Sequence, residues 1–134
     1  MKTDIEILES AKEASKKAYC PYSKFAVGAC VLCENGNTYT GCNVENSSYG
    51  LSLCAERNAI SSKIASGDDS DIVKIAIYSP QEKKCFPCGA CRQWMKEFQV
   101  KGKDILIVLE GDNNEICTFS INELLPYSFD MNVI

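Results

Sequence analysis

The segment KKCFPCGACRQW, residues 83–94, carries a cysteine at every third position, Cys85, Cys88 and Cys91, with Pro87 between the first two. Proline is favoured at a helix start and disfavoured inside one, so a helix begins at Pro87 or Cys88 and Cys85 stays in the loop before it. Only Cys88 and Cys91 then share a helical face, at i and i+3. The chain holds nine cysteines and no histidine in 134 residues. Histidine-based triads and histidine metal ligands are thereby excluded, and thiolates and carboxylates must carry the chemistry.

A chain of this length, 46% hydrophobic and 24% charged, suits one compact domain over residues 1–134. The first residues lack the apolar run of a signal peptide, and no segment approaches the length needed to span a bilayer, so a soluble cytoplasmic protein is expected. In a reducing compartment an odd number of cysteines points to metal binding, catalysis or buried thiols ahead of disulfides. The net charge is −4 and the lysines are scattered. No electrostatic footprint for a phosphate backbone results, so nucleic acid is not an expected partner.

Residues 4–18 place Ile5, Leu8, Lys12, Ser15 and Ala18 on a weakly amphipathic helix, with Thr3 as its cap and Pro21 beyond its end. Residues 25–33 and 37–45 flank the turn signal Glu34-Asn35-Gly36 and predict a β-hairpin. Residues 53–66 predict a helix that stops at Gly67, and residues 72–79 a strand. A helix over 88–99 and a nearly continuous apolar strand over 104–110 complete a parallel crossover. The link of residues 111–114 is too short for another crossover, so a strand over 115–119 must return antiparallel, before a short helix over 121–125. The expected fold class is α/β, a three-layer α/β/α sandwich around a mixed five-stranded sheet.

Three arrangements fit part of the cysteine pattern. An iron–sulfur run matches Cys85, Cys88 and Cys91, but Met95 stands where the fourth cysteine is required. A zinc ribbon would pair Cys30 and Cys33 with Cys88 and Cys91, across a gap far beyond the usual ~15–20 residues. Cys30 and Cys33 also lie at odd separation in a strand, so they point to opposite faces and read as small buried hydrophobes. In the third arrangement another ligand joins Cys88 and Cys91 from elsewhere. The best candidate is Cys54 in LCAERNAI, which opens the other helix. Three cysteines at two helix N-termini would leave the fourth tetrahedral position open, an arrangement of the catalytic type.

Three thiolates around Zn²⁺ leave a cluster of about −1, which needs compensation if the metal is to acidify water. Two helix N-termini supply partial positive charge, and Arg57, in the turn beside Cys54, can donate to ligand sulfurs. Glu56, two residues after Cys54, is within reach of the open position and can shuttle a proton there.

The order C-A-E and then P-C-x-x-C is the signature of zinc-dependent nucleobase deaminases in their three-cysteine form. YCPYSKFAVGA, GCNVENSSYGLSLCAERNAI, PCGACRQW and ELLPYSF, spread over almost the whole chain, resemble the short homotetrameric cytidine deaminases of nucleoside salvage. That resemblance implies one Zn²⁺ per chain on Cys54, Cys88 and Cys91, with Glu56 transferring the proton in hydrolytic deamination of cytidine and 2′-deoxycytidine. It implies that Asn43 and Glu45 bind the ribose hydroxyls, from alternate residues on one strand face. It further implies that Phe25 packs against the pyrimidine, that the Ala55 backbone contacts the base, and that Gln93 supports the site. Tyr49 and Phe129 resemble residues that reach into a neighbouring subunit's pocket, which makes a homotetramer with shared sites the expected assembly. Cys85 and Phe86 stand where the family usually has small or polar residues, so Cys85 is expected to be a bystander. Cys20, Cys30, Cys33, Cys42 and Cys117 are read with it as free thiols. A deaminase of nucleoside antibiotics such as blasticidin S would share the zinc motifs, although NVEN favours a ribose ligand. A structural zinc module would need a closed fourth position, for which Cys85 is the one nearby thiol.

Overall fold

Thr3 and Glu6 cap each other reciprocally, the Glu6 amide donating to Oγ1 of Thr3 and the Thr3 amide to Oε1 of Glu6, and this box starts the first helix. The computed structural model describes residues 1–131. Its elements run α1 (Asp4–Ser15), β1 (Gly28–Cys33), β2 (Thr38–Cys42), α2 (Ala55–Ala65), β3 (Ile72–Tyr78), α3 (Gly89–Glu97), β4 (Leu106–Glu110), β5 (Ile116–Ser120) and α4 (Ile121–Leu124). The five strands form one sheet in the order β2-β1-β3-β4-β5. β1 is antiparallel to both β2 and β3, β3 and β4 are parallel, and β5 returns antiparallel to β4. The hairpin, the crossover through α3 and the antiparallel return all follow the sequence reading.

Two cores lie on the two faces of this sheet. Cys30, Leu32, Ala76 and Val108 meet Ile7, Leu8 and Ala11 of α1 on one side. Ala29, Val31, Cys33, Ile75, Ile77, Ile107 and Leu109 face α2 and α3 on the other, against Ala55, Ala59, Ile60, Cys91 and Met95. Alternate residues of β1 therefore serve opposite cores, and Cys30 and Cys33 point apart as their spacing requires. The result is the α/β/α sandwich. Among the described residues no helix is long and apolar enough to cross a membrane.

Two glycines bring the helices close to the sheet. A Cβ at Gly28 would lie 1.9 Å from the Ala11 carbonyl oxygen of α1, and one at Gly41 would lie 2.4 Å from the Ala59 amide nitrogen of α2. Only a residue without a side chain permits either approach. Gly41 thus sets how near α2, and Cys54 at its start, can sit to β2.

Three expectations change. The first helix ends at Ser15, not Ala18, and its buried face is Ile7, Leu8, Ala11, Ala14 and Ser15, while Ile5 is exposed. Phe25 lies before β1, in the loop that leads into it. β2 ends at Cys42, so Asn43 and Glu45 lie beyond the strand, on either side of Val44, which makes isolated bridges to Tyr19 and Leu53. The cause is visible at Asn43, whose side chain takes the Val27 amide and donates to the Phe25 carbonyl oxygen, groups that a continuing ladder would pair through backbone.

Candidate active site

Cys54 and Cys88 are the N-caps of α2 and α3. Their carbonyls accept the first helical bonds, from Asn58 and Arg92, but neither sulfur caps its own helix. The sulfurs are therefore free to face each other. Cys91 lies one turn into α3, buried on the sheet side. The Sγ atoms of Cys54, Cys88 and Cys91 all fall within 4.8 Å of one another, with 3.9 Å between Cys54 and Cys88 and 3.5 Å between Cys88 and Cys91. Tetrahedral zinc with bonds of about 2.3 Å needs sulfurs about 3.8 Å apart. The donor set fits that ion.

Three sulfurs this close cannot all be thiolates unless a cation sits among them. A hydrogen bond from Cys91, with the Arg57 guanidinium beside it, pulls the Cys54 thiol down to about 5, while that same bond and burial push Cys91 up. Arg57 donates from Nη2 to the Cys54 sulfur at 3.3 Å. Its buried Nε has no hydrogen-bond partner among the described residues. A buried guanidinium donor left open beside a sulfur cluster suits a cluster that carries negative charge. Burial foremost raises the Glu56 carboxyl to about 7, against an opposing backbone hydrogen bond and with a smaller contribution from the charge on Cys54. Glu56 is thus poised to exchange a proton near neutral pH.

A cavity of about 330 Å³ opens onto this cluster. Cys54, Ala55, Glu56 and Cys88 line it together with Phe25, Asn43 and Glu45. Val44 and Leu53 exchange two backbone hydrogen bonds of 2.9 Å, which lay the NVEN segment against the residue before Cys54. The Glu45 carboxylate accepts from the Ser23 hydroxyl and from the amides of Tyr22 and Ser23. Ser23 foremost holds that carboxyl below its ordinary range, so it stays ionised as an acceptor for hydroxyl groups.

Residues 1–107 match the protein-family model described as the cytidine and deoxycytidylate deaminase zinc-binding region. The chain belongs to that family. It is 42% identical over 130 residues to the cytidine deaminase of Halalkalibacterium halodurans, covering 94% of this chain and 96% of the relative. It is 38% identical over 130 residues to the Mycoplasma genitalium cytidine deaminase, covering 96% of this chain and 98% of that one. The crystal structure of a Burkholderia pseudomallei cytidine deaminase superposes with a TM-score of 0.86 at 41% identity, covering 96% of this chain and all of that one. The matched family region contains Cys54, Glu56, Cys88 and Cys91, and the three-cysteine cluster within it is suited to a metal ion.

Not every residue singled out for a deaminase site gathers at the cavity of a single chain. Tyr49 is 77% exposed in a short 3₁₀ turn, its ring edge-on to Tyr22 and next to Glu45 in an adjoining cleft. Phe129 is 71% exposed and lies away from the cluster. Among the described residues Gln93 makes no hydrogen bond to the three clustered cysteines, and its Nε2 donates to the Phe129 carbonyl oxygen at 2.9 Å. Two residues past Cys91 is about 200° around a helix, so Gln93 faces away from the sulfurs. Cys85 lines the cavity but stands outside the three-sulfur group, and burial pushes its thiol up to about 12.

Sequence reading missed Ser23 and Arg92. Arg92 donates from Nε to the Pro87 carbonyl oxygen and from Nη1 to that of Leu124, both at 2.8 Å, which ties the turn before Cys88 to α4. Both residues act on partners distant in sequence or on backbone atoms, and no side-chain pattern announces such contacts.

Arg57→Gln is expected to leave the fold intact and to lower zinc affinity or turnover about 10- to 100-fold, as losses of outer-shell partners do. Competition against a chelator together with turnover measures it. Unchanged values in both would make Arg57 a bystander to the cluster.

Proposed function

We propose that this protein is a zinc-dependent cytidine deaminase that hydrolyses cytidine and 2′-deoxycytidine to uridine and 2′-deoxyuridine, releasing ammonia, in pyrimidine salvage. The observation that carries this reading is the buried Glu56 carboxyl, raised to about 7, in one cavity with the three-sulfur cluster and with Asn43 and Glu45. Zinc held by Cys54, Cys88 and Cys91 supplies the Lewis acidity that makes water nucleophilic at neutral pH. Glu56 takes the proton released as the water oxygen bonds to C4, and delivers it to ring N3. Glu56 then takes the second proton from the hydroxyl now on C4 and passes it to the amino group, so that the C4 carbonyl forms as the C4–N bond breaks and ammonia leaves. Asn43 and Glu45 hold the ribose hydroxyls, the Ala55 backbone meets the base, and Phe25 covers the ring and excludes water. Arg57 offsets the charge of the sulfurs.

The catalytic unit is a single domain over residues 1–134, working in the cytoplasm as one subunit of a homotetramer. The exposure of Tyr49 and Phe129 supports that assembly, since two large aromatic side chains facing outward suit contact with another copy. Gln93, by holding the Phe129 carbonyl, positions the segment that presents Phe129 to a neighbour.

The substrate assignment is tested by measuring catalytic efficiency side by side for cytidine, deoxycytidine, cytidine monophosphate, cytosine and a cytosine-containing oligonucleotide. A 5′-phosphate brings negative charge toward Glu45 and the thiolate cluster of a chain whose net charge is already −4. Free cytosine forgoes the sugar contacts, and losing hydrogen bonds to buried polar groups costs about 1–3 kcal/mol each. The two nucleosides are expected to lead. A monophosphate or oligonucleotide that outperforms them would remove Asn43 and Glu45 from sugar binding.

A further inference from the structure

We propose that Cys85 and Phe86 form a fixed apolar wall against the C5–C6 edge of the pyrimidine, and thereby select which 5-substituted cytosine nucleosides are deaminated. The proposal rests on the deaminase reading of the cavity. Cys54, Glu56 and Cys88 line that cavity, and so do Asn43 and Glu45; on the deaminase reading C4 meets the first group and the sugar on N1 the second, with the pyrimidine ring between them. Between C4 and N1 the ring has two unlike edges. The edge of N3 and the C2 carbonyl needs polar partners, which the start of α2 at Ala55 and Glu56 offers. The C5–C6 edge carries only C–H groups and needs none. Cys85 and Phe86 line the cavity and supply an apolar surface, so the C–H edge is the one they match.

The wall is anchored through its backbone and through Cys85, while Phe86 stays 41% exposed. Lys84 adopts a left-handed φ of 48°, which turns the chain inward, and its amide donates to the Glu110 carbonyl oxygen of β4 at 2.8 Å. The Lys83 ammonium pairs with the Glu110 carboxylate. Cys85 is 8% exposed and packs into the core beneath the sheet face that carries α2 and α3. The Phe86 amide donates to the Lys84 carbonyl oxygen at 2.8 Å, and its ring stands edge-on to Phe119 of β5, centroids 4.9 Å apart. A segment held by β4, β5 and the core resists displacement by a larger ligand. Its discrimination is therefore steric, and it falls on the substituent at C5.

The test compares kcat/KM for cytidine, 5-methylcytidine and 5-bromocytidine in the wild type, Phe86→Ala, Phe86→Leu and Cys85→Val. Methyl and bromine are similar in size and opposite in electronic effect, so a steric wall treats them alike. Phe86→Ala is expected to raise both 5-substituted-to-cytidine ratios about 10-fold or more, the scale on which apolar pockets discriminate small groups. Phe86→Leu should shift them less in the same direction and keeps contact with Phe119 if the alanine variant does not fold. Cys85→Val, which adds bulk, should lower both ratios. Ratios that stay within about twofold of the wild type in variants that deaminate cytidine would overturn the wall while leaving the deaminase reading intact. A wild-type protein inert toward cytidine would overturn both.

Discussion

Glu56→Gln is expected to retain one zinc per chain while turnover of cytidine falls by roughly 10²-fold or more. The substitution keeps the size of a buried side chain and removes only its capacity to take up and return a proton. Glu56 is not one of the three clustered sulfur donors, so the metal site should survive its loss. Its carboxyl is raised to about 7 by burial, which places both protonation states within reach at neutral pH, and an amide offers neither. Metal analysis and single-turnover kinetics on the same preparation separate the two effects. A variant with half the wild-type rate would remove Glu56 from the proton path, and a variant without zinc would recast it as part of the metal site.

Cys91→Ser is expected to lose zinc and activity together, whereas Cys85→Ser should keep about one zinc per chain and near-normal turnover. Cys91 is fully buried, 3.5 Å from the Cys88 sulfur, and its removal leaves two thiols where a zinc site needs at least three protein ligands. Metal binding free energy also contributes to folding, so the Cys91 variant should melt at a lower temperature than the zinc-loaded wild type. Cys85 sits in the same short segment and lines the same cavity, yet it stands outside the cluster because it lies in the loop before Pro87 and the α3 N-cap Cys88. Loss of metal from Cys85→Ser would point to a closed, structural site with four sulfurs.

That contrast also shows how far a sequence can be read. Pro87 separates Cys85 from Cys88 by a rule of local geometry, whereas Cys54, expected at the opening of a helix over 53–66, proves to be the N-cap of α2. The apolar run that becomes β4 and the odd spacing of Cys30 and Cys33 fixed which residues serve the two faces of the sheet. Local rules failed where a side chain competes with the backbone. Asn43 takes up the Val27 amide and the Phe25 carbonyl, and the strand expected to reach residue 45 stops at Cys42. They failed again on α1, where a weak pattern allowed a stripe through Ile5 although the sheet covers Ile7 and Ala11. The convergence of Cys54, Cys88 and Cys91 beside Glu56 was legible because their spacing places them at two helix starts. Ser23, which grips Glu45 from 22 residues away, and Arg92, which holds the carbonyls of Pro87 and Leu124, were not, because their partners are chosen by the tertiary fold.

The most direct measurement is a titration of metal-free protein with zinc, following bound metal and cytidine deamination in the same samples. Activity should be absent at the start, rise in proportion to bound zinc and reach its maximum at one zinc per chain. Full deamination by the metal-free protein, or a zinc-saturated protein that leaves cytidine unchanged, would contradict a zinc-dependent cytidine deaminase.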